Sequence, residues 1–369
     1  MSRAMRVARR RVVPIALAAL TTLGLAACGG VDSAEGEYNL RFASYNVPTA
    51  AEAVASKQWA EDVEKATDGR VTVEFFYQEA LLGGDETLQG VADGRADMGY
   101  IADAYYPAEL PLSNVSGVPF VTENPEAQGR AFMDLYADNE AFHDEWESQG
   151  VHVVTWAPVP PNIVAMKEPV DGLDDLEGQK IRGYGYVSEA LDMAGVSAIG
   201  ISQSEVYEAL QRGVLDGTSG ASLDIAADRD YQEVAPHFVD VGYGNYAVTA
   251  NIISLQVWES MPDDIQQAIT EVSEQYLDQY LASLGKLETA ACDELLEAGG
   301  DVSLLEDSEV DGWKQQAGPD VKEIWADDVR SANPEADPDA FYEAYTAALE
   351  EHEKESSYRP AIERCAERQ

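Results

Sequence analysis

Gln179-Lys180-Ile181-Arg182, then Ser204-Glu205-Val206-Tyr207-Glu208-Ala209-Leu210-Gln211-Arg212-Gly213-Val214-Leu215-Asp216-Gly217, decide the reading of this chain. The first piece follows Leu173-Asp174-Asp175-Leu176-Glu177-Gly178 and is a short strand that ends on one arginine, Arg182. The second is a helix that stops at Gly213, because glycine adopts the left-handed turn that ends a helix. It then drops into a short buried strand, Val214-Leu215-Asp216. Together they set a fixed cation and a second loop at the same ends of neighbouring strands, where open α/β sheets bind ligands.

Working outward, Tyr38–Ser44 alternates like a strand, and the loop Tyr45-Asn46-Val47-Pro48-Thr49 leads into a helix from Ala50 to Thr67. Arg70–Phe76 is a second strand; Asp85 caps a helix that ends at Asp93-Gly94, and Ala96–Ile101 is a third strand. The segment Gly94-Arg95-Ala96-Asp97 repeats the pattern of Gly213-Val214-Leu215-Asp216, a helix stop and then an aspartate entering a loop. Two lobes of like construction would produce this echo. Val151–Trp156 is a strand, and Ala157-Pro158-Val159-Pro160-Pro161-Asn162 is extended, since proline disfavours helix in itself and in the residue before it. It reads as the crossover between lobes. Ile163–Met166, Val196–Ile201, Glu233–Val239 and Ala247–Leu255 read as strands. Ser188–Ala194 reads as a helix, as does Ser202–Gln211. Pro262 opens a long helix with apolar residues at helical spacing and a break before Ala298, and Ser308–Glu351 is helical and acidic.

The expected class is therefore α/β: two lobes, a ligand cleft between them, and a long helix spanning both. The boundaries are 38–157 for the first lobe, 158–250 for the second, and 251–369 for a crossing strand, the long helix and C-terminal helices packing on both.

Residues 1–27 read as a leader. Five arginines precede an apolar run, Val12–Leu25, too short to span a bilayer as a mature helix. The run ends Leu25-Ala26-Ala27-Cys28, which resembles a bacterial lipobox and implies lipid on Cys28, with 28–37 as a flexible tether. An ordinary signal peptide is the alternative. The whole chain carries 24 basic and 68 acidic residues, a net charge of −44. Without the leader, 19 basic residues face the same 68 acids. So acidic a surface repels nucleic acid and anionic membranes. Acid-rich stretches such as Ala50–Glu64 and Glu350–Glu355 read as solvated helix faces, and the excess of acid suggests a saline habitat. Cys28 aside, two cysteines remain. A Cys292–Cys365 disulfide is expected in an oxidising compartment, two free thiols being the alternative.

The opening block, with Asp68-Gly69-Arg70-Val71, Leu82-Gly83-Gly84, Gly94-x-x-Asp97-Met98-Gly99-Tyr100, Val118-Pro119-Phe120 and Trp258-Glu259-Ser260-Met261-Pro262, resembles the DctP-type binding proteins of tripartite ATP-independent periplasmic (TRAP) transporters. The resemblance implies a two-lobed binding protein that captures a solute outside the cytoplasmic membrane and delivers it to a membrane permease, with no catalysis. Arg182 would meet a substrate carboxylate through two parallel hydrogen bonds. Two departures narrow the ligand. The slot of a second arginine falls near Pro161 or Asn162, and Thr218-Ser219-Gly220 replaces the Gln-Glu-Asn-like run after Asp216-Gly217. Doubly carboxylated ligands are thereby disfavoured. A Glu-Trp pair used by metal-assisted oxoacid binders is missing, so neither metal nor cofactor is expected. The expected lining is Arg182 with Tyr184, Tyr45, Tyr105, Trp156, Gly220, and more weakly Asn162, Ser222 and Asn245. Tyr106, Tyr186 and Tyr246 are further aromatic candidates. The expected ligand is a small monocarboxylate with an apolar, aromatic or neutral polar body.

Catalytic readings find no support in the motifs. The histidines, His143, His152, His237 and His352, look scattered, and there is no Gly-x-Ser-x-Gly or phosphate loop. The alternative to the TRAP reading is a binding lipoprotein of an ABC importer or a sensory system.

Overall fold

A computed structural model describes residues 36–369, so the leader, Cys28 and nearly all of the tether lie outside the described residues. Two sheets organise the rest. Their strands are, in chain order, β1 (Tyr38–Ala43), β2 (Val71–Phe76), β3 (Met98–Ala102), β4 (Val151–Pro158), β5 (Ile163–Met166) and β6 (Lys180–Gly183). They continue as β7 (Ser197–Gly200), β8 (Gly217–Ala221), β9 (His237–Asp240), β10 (Val248–Ser254) and β11 (Asp301–Leu304). The first sheet runs β2-β1-β3-β10-β4 and the second β11-β9-β5-β8-β6-β7. β1 pairs in parallel with β2 and β3, whereas β10 is antiparallel to both its neighbours. The chain thus crosses to the second lobe after β4 and returns with β10. Residues 248–254 therefore belong to the first sheet, and β11 gives the second sheet a strand from the stretch between Ala298 and Ser308 that the sequence pattern leaves unassigned.

The two crossings lie side by side. Val159 donates its amide to the Ala247 carbonyl at 3.0 Å, and Asn162 donates to the Gly244 carbonyl at 2.8 Å. Pro160 and Pro161 between them have no amide to give. The helix Tyr276–Glu297 packs on the helix Ala51–Ala66 and β4 of the first lobe and on the helices Leu223–Asp228 and Ala361–Ala366 of the second. It follows Asp263–Ser273 after a break at Glu274-Gln275, which falls inside the run from Ile265 to Tyr280 that the spacing reads as one helix. Cys292 is bonded to Cys365, which fastens the last helix to this long one inside the second lobe's core.

Several local expectations change. Val214 is 53% exposed and Val214-Leu215 form the turn leaving the helix, so the strand starts at Gly217. The two aspartates of the repeated pattern enter strands and sit at their starts, away from the cleft. Each accepts an amide from the neighbouring strand, Asp97 from Arg41 at 2.8 Å and Asp216 from Lys180 at 2.9 Å. Asp85 does not cap; the helix begins at Thr87. Pro236 delays β9 to His237. Helices Pro125–Asp138 and Glu140–Glu147 occupy a stretch that the sequence pattern leaves unassigned, with Asn124 and Asn139 accepting the first free amides. The face Ala50–Glu64 is not simply solvated. Ala51, Glu52, Ala55, Ser56, Trp59 and Val63 are buried against the long helix and the first sheet.

Candidate functional site

The strands of both sheets end at one cleft of about 1010 Å³, counting its part open to solvent. After β1 the chain supplies Tyr45, after β3 Tyr105, after β6 Tyr184, and near the end of β8 Gly220. Leu287, Ala290 and Ala291 of the long helix close one wall. This is the sequence's expected geometry for an open α/β sheet.

Arg182 is 3% exposed. Its Nε donates to the Ile201 carbonyl at 3.3 Å, and its Nη1 to the carbonyls of Ser219 at 3.1 Å and Gly220 at 2.9 Å. Among the described residues Nη2 has no partner, and no carboxylate meets the guanidinium. A buried cation held only by backbone carbonyls in so acidic a chain is poised for an anion. Its carbon lies 5.1 Å from the centre of the Tyr184 ring, within range of a cation–π contact.

Asn162 holds this hook in place without lining the cleft. Its Oδ1 accepts the Gly220 amide at 2.6 Å and its Nδ2 donates to Ser219 Oγ at 2.8 Å. The two carbonyls that grip Arg182 are thereby fixed. Gly220 has φ +73°, and a Cβ there would stand 2.6 Å from Arg182 Nη1, so both conformation and space require glycine.

The tyrosines form a continuous wall. Ring centres are 5.1 Å apart for Tyr100 and Tyr45, 5.7 Å for Tyr45 and Tyr105, and 5.1 Å for Tyr105 and Tyr184. The buried Tyr184 hydroxyl has no partner among the described residues. Tyr246 also lines the cleft. The remaining candidates lie elsewhere. Trp156 packs edge-on against Phe132 and Trp146 in the first lobe's core. Asn245 donates to Gln128 at 3.0 Å, and Ser222 to Asp224 at 2.7 Å, and neither reaches the cleft. The Tyr106 hydroxyl is taken by the Gly84 carbonyl, and that of Tyr186 by Asp328 at 2.9 Å.

The sequence reading missed the cleft's acids, Glu52, Asp224 and Asp228, with Glu294 at an exposed position. Glu52 is 5% exposed; burial first, then the nearby Asp224, pushes its carboxyl up to about 7. Burial also raises Asp224. In a chain with 68 acids no local signal marks these few.

The histidines are less scattered than they look. His143 and Glu147 are one turn apart on one helix, and His152 on β4 joins them. Glu147 Oε1 lies 3.6 Å from His143 Nε2 and 3.7 Å from His152 Nδ1. All three offer atoms within 4.8 Å of one another and could hold a divalent cation, which corrects the expectation that no such grouping exists. Burial lowers His152 to about 4, which keeps its imidazole neutral. The group is not part of the cleft lining.

The DctP profile, described as bacterial extracellular solute-binding protein, family 7, matches residues 42–328. A solute-binding protein of Chromohalobacter salexigens is 25% identical over 266 residues, covering 69% of this chain and 75% of that one. A TRAP solute-binding protein from Rhodoferax ferrireducens T118, solved with copurified benzoate, superposes with a TM-score of 0.76 at 20% identity, over 86% of this chain and 98% of that one. Another from Desulfovibrio salexigens, solved with bound orotic acid, gives 0.76 at 21% identity, over 85% and 100% of the two chains. The chain belongs to the DctP family of bacterial extracellular solute-binding proteins.

Proposed function

We propose that this protein captures a small organic acid in the cleft and delivers it to a TRAP-type permease, making and breaking no covalent bond. The observation that carries the reading is Arg182: buried, lining the cleft, held by three backbone carbonyls, and with no partner for Nη2 among the described residues. A carboxylate placed there gains charge-assisted hydrogen bonds in a site shielded from water. Tyr45, Tyr105 and Tyr184 would wall the organic body, and Asn162 and Gly220 would act by positioning the hook. That the two similar structures hold benzoate and orotic acid, both carboxylates, supports this class of ligand. Closure of the lobes over the solute would bend the paired linkers. Cys28 would carry the lipid that keeps the protein at the outer face of the cytoplasmic membrane, near its permease.

Calorimetry with a panel of organic acids tests the binding step. Replacing a buried, hydrogen-bonded charge costs about 2–5 kcal/mol, or roughly 30-fold or more in affinity. Arg182→Ala should therefore lose that much, and Arg182→Lys should recover only part of it. An Arg182→Ala protein that folds and binds its acid as tightly as the parent would overturn the reading. For the anchor, Cys28→Ser should release the protein from membranes in cell fractionation.

A further inference from the structure

The cleft carries more negative charge than a plain carboxylate ligand suits. Glu52 and Asp224 line it and are 5% and 9% exposed. Among the described residues neither Glu52 nor Asp224 makes an ion pair; the charges coupled to them are each other, Asp228 and Glu288, and Glu288 already has Arg364 as its partner. Asp224 accepts from Ser222 Oγ, and the Tyr100 hydroxyl lies beside Glu52. Asp228 has a cation of its own, Arg229 at 4.0 Å. Among the described residues the cleft therefore has two unmatched poles, the Arg182 guanidinium and the Glu52–Asp224 pair.

Tyrosines connect the poles. Tyr246 lines the same cleft as Arg182, Glu52 and Asp224. Tyr45 and Tyr100, whose rings tilt at 49°, both feel Glu52. Tyrosine faces attract cations, and most strongly where water is excluded. An anion entering this cleft alone adds a third negative charge to two neighbouring buried acids. A molecule that also carries a positive charge matches both poles.

We propose that the ligand is a zwitterion, a small carboxylate with an ammonium, quaternary ammonium or amidinium group, whose carboxylate meets Arg182 and whose cation lies between Glu52, Asp224 and the Tyr45, Tyr100 and Tyr246 rings. This rests on the carboxylate reading above and replaces the neutral body expected from sequence.

The test uses isosteric pairs that differ in one atom. Trimethylammonioacetate and 3,3-dimethylbutanoate form one pair, each lengthened by successive methylenes. 4-(Trimethylammoniomethyl)benzoate and 4-neopentylbenzoate form an aromatic pair. Affinities are measured by calorimetry at pH 8 and fixed salt on the mature chain. At one length or more, the zwitterion should bind at least about tenfold tighter than its neutral partner. Glu52→Gln and Asp224→Asn should erase that preference while leaving the neutral partner's affinity unchanged or improved. Equal or tighter binding of the neutral partner at every length overturns the proposal, as does a preference that survives both substitutions together. Arg182-dependent binding of neutral acids alone sinks the zwitterion and leaves the carboxylate reading intact. Absence of Arg182-dependent binding in either series sinks both.

Discussion

Replacing Glu52 by glutamine should make the unliganded protein more stable, and by an amount that depends on pH. In the unfolded chain this carboxyl titrates near 4.5, whereas in the cleft it is pushed up to about 7. A raised carboxylate pKa means that the folded state holds its proton longer than the unfolded one. Stability therefore falls as pH climbs from 4.5 through 7. At pH 8 both states are ionised, and the folded protein bears the full cost of burying the charge, about 3 kcal/mol. At pH 5 the folded carboxyl is already protonated, and under about 1 kcal/mol remains. Glutamine keeps the shape, removes the charge, and relieves Asp224 as well. Urea unfolding followed by tryptophan fluorescence, without ligand, should thus show a gain of about 3 kcal/mol at pH 8 that shrinks below about 1 at pH 5. A variant no more stable than the parent at pH 8, or equally stabilised at both pH values, would refute the picture of Glu52 as an uncompensated buried acid.

Gly220→Ala should weaken binding, since its Cβ would crowd Arg182 Nη1 at 2.6 Å; a loss of ~2 kcal/mol, about 30-fold, is expected by calorimetry with little change in far-UV signal. Opening the Cys292–Cys365 bond by Cys365→Ser frees a loop with a sequence separation of 73, which the chain-entropy relation values at about 4 kcal/mol; thermal unfolding under non-reducing conditions reads it. With a net charge of −44, the folded chain repels itself, so its melting temperature should rise from low to molar salt; a flat or falling profile would show that the acids are locally compensated.

Some of this was legible in the sequence and some was not, for reasons that lie in particular residues. Arg182 stood out because it closes a strand in a block that resembles the DctP-type binding proteins; its place at a strand end alone would equally fit a surface arginine. Helix from Ile265 to Tyr280 was readable by its spacing, with Pro262 at its start, but the break at Glu274-Gln275 that divides it was not. Trp156 was misplaced because a tryptophan near a strand end fits a core or a cleft equally well, and only the rings of Phe132, Phe142 and Trp146 settle which. Glu52 and Asp224 were invisible for the opposite reason to Arg182. Acids are everywhere in this chain, and what separates these from the solvated majority is tertiary burial, which no local pattern encodes. Val214 misled because a β-branched residue after a helix stop suggests a strand, yet here it spans a turn.

Asn162 has a further consequence. Its backbone is clipped to Gly244 in the paired linkers, and its side chain trues the end of β8 that grips Arg182. One residue is thus both hinge pin and sight adjustment. The angle between the lobes and the aim of the guanidinium are not independent settings. Prying the lobes apart would load the Asn162 backbone amide at Gly244 while its side-chain amide still holds Ser219 and Gly220, so a shift in the linkers would pass to the hook.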